Sequence, residues 1–313
     1  MTKLDTFINN ISKSLINDTY NKRELLDLIN NLNENKSNNK PIKKSSNKTD
    51  CCKNTITLTL GDSGENHIGM EVLGDLGDKG SGYSIEDLLN IYEYYKNKEV
   101  NVEYHDISID NSDKAGIIII RNYLDVDKSN VLYEDLFKLK WDRHYKCHRR
   151  KQVLNKHARA NLMIQDGYSQ EPDYENSKGT IIDGNTIDSF KIFKKEMVEK
   201  LNIASNTDKA DNLICEGNLY FDQKKCGIGY HGDAERRKVI AIRLGESMCM
   251  NWQWFHRNKP VEKTFEFVIN SGDLYMMSEK AVGNDWKKSS LLTLRHAAGS
   301  NKFTNLDKYK CKI

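Results

Sequence analysis

His231 and Asp233 are separated by a single glycine in the segment 229–236. Side chains two positions apart on a β-strand lie on the same face, so one imidazole nitrogen and one carboxylate oxygen could reach a single metal ion. A distant histidine would complete a set of two histidines and one carboxylate, which suits non-haem Fe(II) and leaves positions open for reactants. Because such a pair is short and common, its interpretation depends on the elements that would position it.

The chain after Asn212 is predicted to consist of short β-strands. Runs of alternating or continuous apolar residues are separated by turn residues such as Gly245 and Gly272. The runs are residues 213–220, 238–244, 263–269, 273–277 and 291–294. This spacing is typical of a jelly roll, or double-stranded β-helix, and the mouth of such a fold could hold a metal with open positions.

The sequence predicts an α+β fold, mainly β, in three parts. Residues 1–53 combine apolar residues at helical intervals with a polar stretch of low complexity, which predicts an N-terminal helix and a disordered linker. In residues 54–115, an alternating strand-like run and a helix start at Ser84 and Asp87 predict a small α/β module whose role the sequence does not indicate. Residues 116–313 are predicted to form the main domain.

Five motifs in the second half of the chain occur in an order that resembles the AlkB-like family of 2-oxoglutarate- and Fe(II)-dependent dioxygenases. They are residues 218–220 (Asn-Leu-Tyr), 231–235 (His-Gly-Asp-Ala-Glu), 240–245 (Ile-Ala-Ile-Arg-Leu-Gly), 271–277 (Ser-Gly-Asp-Leu-Tyr-Met-Met) and 292–295 (Leu-Thr-Leu-Arg). The resemblance covers about residues 116–300. It implies a double-stranded β-helix that binds Fe(II) and 2-oxoglutarate.

The resemblance also implies roles for single residues. His231 and Asp233 would be iron ligands, and Asn218 and Tyr220 would hydrogen-bond 2-oxoglutarate. Arg295 would pair with a carboxylate of 2-oxoglutarate, a task that suits an arginine because its fork of donors binds a carboxylate through two parallel hydrogen bonds. Glu235 would lie near the substrate base.

One departure from the family's pattern concerns the distal iron histidine, because Lys288 stands where that histidine is usual. The nearest histidine is His296, and we expect it to be the third iron ligand. A regular strand would place Arg295 and His296 on opposite faces. Either His296 binds iron and a lysine contributes to holding 2-oxoglutarate, or Arg295 faces the site and the iron ligand set is incomplete.

A basic stretch over residues 138–159 contains nine lysines and arginines and one acid, Asp142. Trp141 and Tyr145 are interleaved with these charges, a pattern that fits phosphate contact and base stacking. Arg149, Arg150 and Lys151 are the candidate substrate contacts. The alternative is an ordinary solvated charged surface.

These patterns predict a dioxygenase dependent on Fe(II) and 2-oxoglutarate that hydroxylates or demethylates alkylated nucleic acid. One alternative is hydroxylation of a protein side chain at the same iron site. Another is a non-catalytic nucleic-acid-binding protein that has lost iron, which Lys288 suggests.

Composition excludes several other classes. No apolar run is long enough to span a membrane, and the N-terminus lacks the apolar core of a secretory signal. The seven cysteines show no framework spacing, so we expect reduced thiols in an intracellular protein, cytoplasmic or nuclear. The segment 61–69 contains glycines but lacks the Lys-Ser/Thr of a phosphate loop, and it is interpreted as a structural loop. Nothing in the sequence indicates the oligomeric state.

Overall fold

The computed structural model describes residues 54–309. These residues belong to one compact unit, Cys52–Ile313. The helix and linker predicted for residues 1–53 lie outside the described residues.

Strands dominate the regular structure of residues 54–309, and isoleucine, valine and aromatic residues are frequent in them. In chain order the strands are β1 (Thr55–Gly61), β2 (Ser63–Glu65), β3 (Val72–Gly74), β4 (Val102–Asp106), β5 (Gly116–Ile120), β6 (His144–Cys147), β7 (Gln152–Asn155), β8 (Ala160–Gln165), β9 (Ile181–Asp183), β10 (Ile214–Tyr220), β11 (Gly227–His231), β12 (Val239–Gly245), β13 (Met248–His256), β14 (Lys259–Ile269), β15 (Leu274–Met277) and β16 (Thr293–Gly299).

The α-helices of the described chain are α1 (Ile85–Lys96), α2 (Val126–Phe137), α3 (Asp188–Ser205), α4 (Glu279–Val282) and α5 (Asn301–Thr304). Helix α1 begins where the sequence predicted, because Ser84 and Asp87 satisfy each other's backbone amides in a capping box. Helix α3 was not predicted. Its apolar residues recur at helical spacing, and Phe190, Met197 and Leu201 are buried.

Two antiparallel-rich sheets organise the described residues. The larger sheet has the strand order β4-β5-β15-β12-β1-β10-β8-β9, and only its β8–β9 pair is parallel. The smaller sheet has the order β11-β16-β13-β14. The fold is therefore α+β and mainly β, as the sequence predicted.

The larger sheet separates two hydrophobic cores. Along β1, Ile56, Leu58 and Leu60 are fully buried on the side that packs against α1, α2 and α3. Thr57 and Thr59 alternate with them and point to the opposite side, toward the smaller sheet. The second core lies between the two sheets, where Trp252 and Trp254 of β13 are fully buried.

Strand β1 occupies a central position in the larger sheet. It pairs antiparallel with β10 on one edge and with β12 on the other. The predicted boundary between residues 115 and 116 therefore does not separate two bodies in the structure, since residues on both sides of it share one sheet and one compact unit.

After α3, the chain alternates between the sheets. It runs from β10 in the larger sheet to β11 in the smaller sheet, returns to β12, and crosses again to β13 and β14. It then returns to β15 and ends its strand sequence with β16 in the smaller sheet. This path brings the ends of β11 and β16 next to the inner face of the larger sheet.

The helices of residues 54–309 have neither the length nor the apolar character that a membrane crossing requires.

The central position of β1 predicts that Leu58→Ala destabilises the whole compact unit. Leu58 is 0% exposed, and removing a buried leucine side chain costs about 2–5 kcal/mol in free energy of unfolding. Urea denaturation, followed by tryptophan fluorescence and far-ultraviolet circular dichroism, should show one transition at lower urea in both signals. Val268→Ala, at a side chain 47% exposed on β14, is the control and should change the free energy by about 0.5 kcal/mol or less. A separate early transition in Leu58→Ala would instead indicate an independent module at residues 54–115.

Candidate functional site

His231, Asp233 and His296 form a cluster at the edge between the two sheets. His231 ends β11, and its partner across the β11–β16 pair is His296. The Nε2 atoms of His231 and His296 lie 3.4 and 3.5 Å from Oδ1 of Asp233. One ligand atom from each residue lies within 4.8 Å of the others, so the three could hold one metal ion. The structure thus brings together the three residues that the sequence nominated as ligands.

Gly232 allows the turn after β11 to place Asp233. A Cβ at this position would collide with the backbone carbonyl of Gly283, which follows α4. The backbone amide of Asp233 donates to the carbonyl oxygen of Val282 at 3.1 Å. The carboxylate is therefore positioned by close backbone contact, which only glycine permits here.

A backbone hydrogen bond orients the ring of His231. Its Nδ1 lies 2.8 Å from the carbonyl oxygen of Gly229. When Nδ1–H donates to this carbonyl, the Nε2 lone pair faces Asp233 and His296. Such a bond is the usual way in which proteins fix the tautomer of a metal-binding histidine.

The electrostatics of the cluster favour the metal-binding protonation states. Burial by itself would raise the pKa of Asp233, but His296, Arg236 and His231 together hold it well below its usual range. Burial lowers the pKa of His296, so a neutral ring is favoured. An ionised carboxylate and neutral imidazoles are the forms that bind metal ions.

Arg236 connects the cluster to the larger sheet. Its side chain is 2% exposed, and its Nη2 donates to Oε2 of Glu216 on β10 at 2.6 Å. Its Nε lies 3.8 Å from Asp233 and donates to Glu235 at 3.1 Å. The three acids raise the pKa of Arg236 against the opposing effect of burial. The sequence analysis did not nominate this residue, although it directly follows the His-x-Asp motif.

The cluster opens into a cavity of about 500 Å³ between the two sheets. Residues of the larger sheet, of the smaller sheet, and of β2 and four connecting segments line it. They include Thr57, Thr59, Glu216, Asn218, Tyr220, Arg243 and Tyr275; Ile228, His231, Met250 and His296; and Glu65, His67, Arg159, Glu235, Trp286 and Lys287. Asn218, Tyr220 and Glu235, which the sequence nominated as cosubstrate or substrate contacts, all face the same cavity as the His/Asp/His cluster.

A polar row crosses the inner face of the larger sheet. Thr57 of β1 is in register with Asn218 of β10 and with Arg243 of β12. Arg243 is fully buried, and its Nη1 donates to Oγ1 of Thr57 at 2.5 Å. Its Nε and Nη2 have no hydrogen-bond partner among residues 54–309, and no carboxylate of these residues pairs with it. A buried guanidinium with free donors in a cavity wall is a position for an anion.

Arg295 does not lie in this cavity. In the β13–β16 pairing, Arg295 is opposite Gln253 and His296 is opposite Trp252, so the two side chains alternate as in a regular strand. The Arg295 guanidinium instead lies 4.3 Å from the Phe255 ring centroid, and its Nη2 donates to Asn258. The predicted role of Arg295 as a cosubstrate contact therefore conflicts with its position, whereas Arg243 faces the site.

Lys288 is exposed and does not line the cavity. Trp286 does line it, but the loop then turns Lys288 toward solvent, where its backbone amide donates to Asp285. Lys288 thus lies outside the cluster, in which His296 is the third candidate ligand.

The segment 61–69, interpreted from sequence as a structural loop, contributes to the cavity. Glu65, His67 and Ile68 are lining residues. Gly69 donates its amide to Glu65 at 2.7 Å, and the His67 ring stacks on Tyr145 at 3.9 Å between centroids. Sequence reasoning missed this role because the segment matches no known binding motif.

The basic stretch, residues 138–159, comprises the β6–β7 hairpin and the residues immediately before and after it. Acids from outside the stretch pair with part of its charge: Asp135 with Lys138, Glu171 with Lys140, and Glu175 with Lys146. Arg149, Arg150 and Lys151 are exposed in the turn of the hairpin, and no ion pair joins them to another described residue. The positive charge without an ion-pair partner thus lies at the hairpin turn, at Lys156 and Arg159 beyond it, and at the exposed Arg143 before it, whose guanidinium stacks over the Phe221 ring.

Comparison with known proteins shows the family of the chain. No protein-family model matches it. Over 259 residues, the chain is 39% identical to the uncharacterized protein R156 of Acanthamoeba polyphaga mimivirus, and the alignment covers 80% of this chain and 98% of the mimivirus protein. The chain belongs to the same protein family as that mimivirus protein. Because the relative is uncharacterized, a functional conclusion depends on the geometry of the site.

The cluster geometry predicts stoichiometric binding of a divalent transition metal. Titration of the full chain with Co(II), followed by visible absorption, should give a saturable signal. His231→Ala, Asp233→Ala and His296→Ala should each weaken binding by more than about 100-fold, because loss of even an outer-shell partner costs about 10–100-fold.

His256→Ala and Lys288→Ala are the matched controls, since neither residue belongs to the cluster. Both should retain wild-type affinity. If His296→Ala kept full metal occupancy while Lys288→Ala lost it, the third ligand would be wrongly assigned.

Proposed function

We propose that this protein is an AlkB-like dioxygenase that uses Fe(II) and 2-oxoglutarate to hydroxylate or demethylate alkylated nucleic acid. The observation that carries the proposal is a His231/Asp233/His296 cluster, at most 24% exposed at any side chain, that shares one cavity with the buried, partly unpartnered Arg243. The first group offers ligands for iron, and the second offers a counter-charge for a carboxylate.

We further propose that the two sheets form a double-stranded β-helix. Support comes from the path of the chain, which alternates between sheets from β10 to β16, and from the core enclosed between them. Four strands of the larger sheet, β10-β1-β12-β15, face the smaller sheet. Of these four, β1 does not belong to the segment from β10 to β16, because it precedes that segment in the chain. A strand from the N-terminal side of the region of resemblance would thus complete the jelly roll.

The residues present fit Fe(II). Two imidazoles and one carboxylate are the ligand set of non-haem Fe(II) oxygenases, and the remaining positions stay open for cosubstrate and dioxygen. All three candidate ligands belong to a site with restricted solvent access, because Asp233 and His296 are buried and His231 is half-buried.

The residues present also fit 2-oxoglutarate. Arg243 would bind the carboxylate remote from the metal, with Thr57 and Asn218 beside it in the same row of the sheet. Tyr220 lines the same cavity. A charge-assisted pair between Arg243 and a carboxylate would also relieve the cost of burying the guanidinium alone.

When bound, Fe(II) with 2-oxoglutarate and dioxygen supplies oxidative decarboxylation, in which one oxygen atom enters succinate and the other hydroxylates a substrate C–H bond. Hydroxylation of an N-methyl carbon gives an unstable product that releases formaldehyde. The chain's own residues supply ligands, orient the cosubstrate through Arg243 and limit the access of water. Arg236 keeps Asp233 and Glu216 in place as anions around this centre.

The proposed substrate class rests on the surface beside the cavity. His67 lines the cavity and stacks on Tyr145 of the basic hairpin. The exposed turn with Arg149, Arg150 and Lys151 belongs to the same hairpin. Free cations with aromatic rings between them suit a single strand whose phosphates are neutralised while a base stacks or enters the cavity.

Arg243→Met should weaken 2-oxoglutarate binding by about 10–100-fold while metal binding persists. The substitution removes a charge-assisted carboxylate contact of about 1.5–3 kcal/mol but no metal ligand. The measurement is an anaerobic titration of the Fe(II)-loaded protein with 2-oxoglutarate, followed by the visible charge-transfer absorption of the complex.

Arg295→Met is the matched control, because it makes the same substitution at a buried arginine outside the cavity. It should leave the 2-oxoglutarate affinity unchanged. The opposite result, with a loss in Arg295→Met and none in Arg243→Met, would contradict the assignment from the structure and support the one drawn from the family resemblance.

The proposed activity predicts equimolar succinate and formaldehyde when the full chain is incubated with Fe(II), 2-oxoglutarate, dioxygen and an N-methylated single-stranded oligonucleotide. Asp233→Ala should abolish both products, since it removes an iron ligand. Mass spectrometry of candidate protein substrates runs in parallel. Oxygen addition to a protein without formaldehyde release from the oligonucleotide would favour a protein hydroxylase. Absence of stoichiometric iron binding in the presence of 2-oxoglutarate, with no turnover of either substrate, would favour a non-catalytic protein that has lost iron.

A further inference from the structure

A second cavity, of about 230 Å³, lies beside the first. Its wall contains His67, Tyr145, Lys156, His157, Arg159 and Asn161, and none of its lining residues is acidic. His67 and Arg159 also line the larger cavity, so the two spaces share a wall. Neither the metal cluster nor the proposed cosubstrate position uses the second cavity.

Lys156 is a buried lysine in this wall that forms no ion pair with a described residue. Its side chain is 8% exposed, and its Nζ donates to the side-chain oxygens of Asn66 and Asn161. No carboxylate of residues 54–309 lies within ion-pair distance of it. Burial lowers the pKa of Lys156 to about 8; attraction to the more distant carboxylates of Asp142 and Glu216 opposes this effect, and repulsion from Arg159 adds to it. The ammonium is thus charged at neutral pH, buried, and held by neutral amide oxygens.

The nearest acid, Asp142, is engaged elsewhere. Its carboxylate accepts hydrogen bonds from the backbone amide and hydroxyl of Thr180, from the hydroxyl of Tyr174 and from the amide of Asn66. These donors occupy the acceptor positions of a carboxylate. Asp142 therefore orders the wall through Asn66 without pairing directly with Lys156.

Arg159 adds a second cation on the shared wall. Its Nε donates to Oδ1 of Asn218 at 2.5 Å, and no carboxylate of the described chain pairs with its guanidinium. The effect of both cations is visible at His67, whose pKa falls to about 4 through burial and through repulsion from Lys156 and Arg159. The repulsion from Lys156 and Arg159 indicates a positive potential at His67, which lines both cavities.

We propose that the second cavity is a phosphate subsite that binds the phosphodiester next to the base held in the larger cavity. This inference rests on the proposed function, since it takes nucleic acid as the substrate. A phosphodiester anion would satisfy the free donors of Lys156 and Arg159 and offset the cost of burying their charge. His67, which lines both cavities, would then lie between the phosphate and its own base. The Tyr145 ring, which stacks on His67, lines the cavity that holds the phosphate.

The test measures how the affinity for a single-stranded oligonucleotide depends on salt. A fluorescein-labelled oligonucleotide with one N-methylated base is titrated with the protein at several salt concentrations between about 50 and 200 mM, and binding is followed by anisotropy. The slope of the logarithm of the association constant against the logarithm of the salt concentration is measured, because each phosphate neutralised contributes about 0.7 to its magnitude for single strands. Lys156→Met should reduce the magnitude of the slope by about 0.7 and weaken binding about 10-fold at the lower salt concentration. Lys156→Arg should restore the slope.

Lys191→Met is the matched control, since it removes one exposed lysine on α3, in the helical layer on the other side of the larger sheet. It should leave slope and affinity unchanged. Equal slopes and affinities for Lys156→Met and the wild-type chain would overturn the subsite.

A second measurement keeps the wild-type chain and changes the ligand, so it does not depend on the folding of a variant. Replacing the phosphodiester beside the methylated base by an uncharged methylphosphonate should reduce the slope by about 0.7. The same replacement far along the strand gives the reference. Unchanged binding with the neutral linkage beside the methylated base would overturn the subsite.

Two outcomes separate this inference from the proposed function. If the oligonucleotide binds and releases formaldehyde but neither change alters the slope, the subsite is wrong and the activity stands. If no oligonucleotide binds while inorganic phosphate protects the wild-type chain but not Lys156→Met from thermal unfolding, the cavity takes a small phosphate ligand. The nucleic-acid assignment then fails for the subsite and the activity together.

Discussion

The site depends on the ion pairs that the buried guanidinium of Arg236 makes with three acids. Glu216, Asp233 and Glu235 converge on it, so a cation that is 2% exposed has three carboxylates around it. Arg236 thereby ties the turn after β11 to β10 in the larger sheet. The position of Asp233, and with it the geometry of the metal cluster, follows from this link together with the close approach of Gly232 to Gly283.

A second constraint is the alternation of side chains on β1. One face of this strand fills the core under the helices, and the other contributes Thr57 and Thr59 to the cavity. Because β1 lies between β10 and β12, it also sets Asn218 and Arg243 in one row. Strand β1, which is far in sequence from His231, Asp233 and His296, thus lines the cavity with Thr57 and Thr59. The same strand contributes buried residues to the core under the helices.

The distribution of buried charge divides the cavity system into regions with different chemistry. The His/Asp/His cluster is compensated internally and is suited to a cation. Arg243 and the pair Lys156 and Arg159 lack carboxylate partners among the described residues and are suited to anions. Under the proposed function, these three regions would take the iron, the carboxylate of the cosubstrate and a phosphodiester of the substrate.

The sequence by itself determined the local features: the alternating strands, the capping box of α1 and the pairing of His231 with Asp233. It also nominated His296, as the nearest histidine, but left open whether His296 or Arg295 faces the site, which the register of β16 decided. Tertiary structure decided the rest. The sequence did not indicate Arg243 as an anion-binding residue, because Thr57 and Asn218 are distant from it in sequence and lie beside it only through strand pairing. Likewise, the free charge of residues 138–159 could not be read from the stretch alone, since the acids that pair with Lys140 and Lys146, Glu171 and Glu175, come from another segment of the fold.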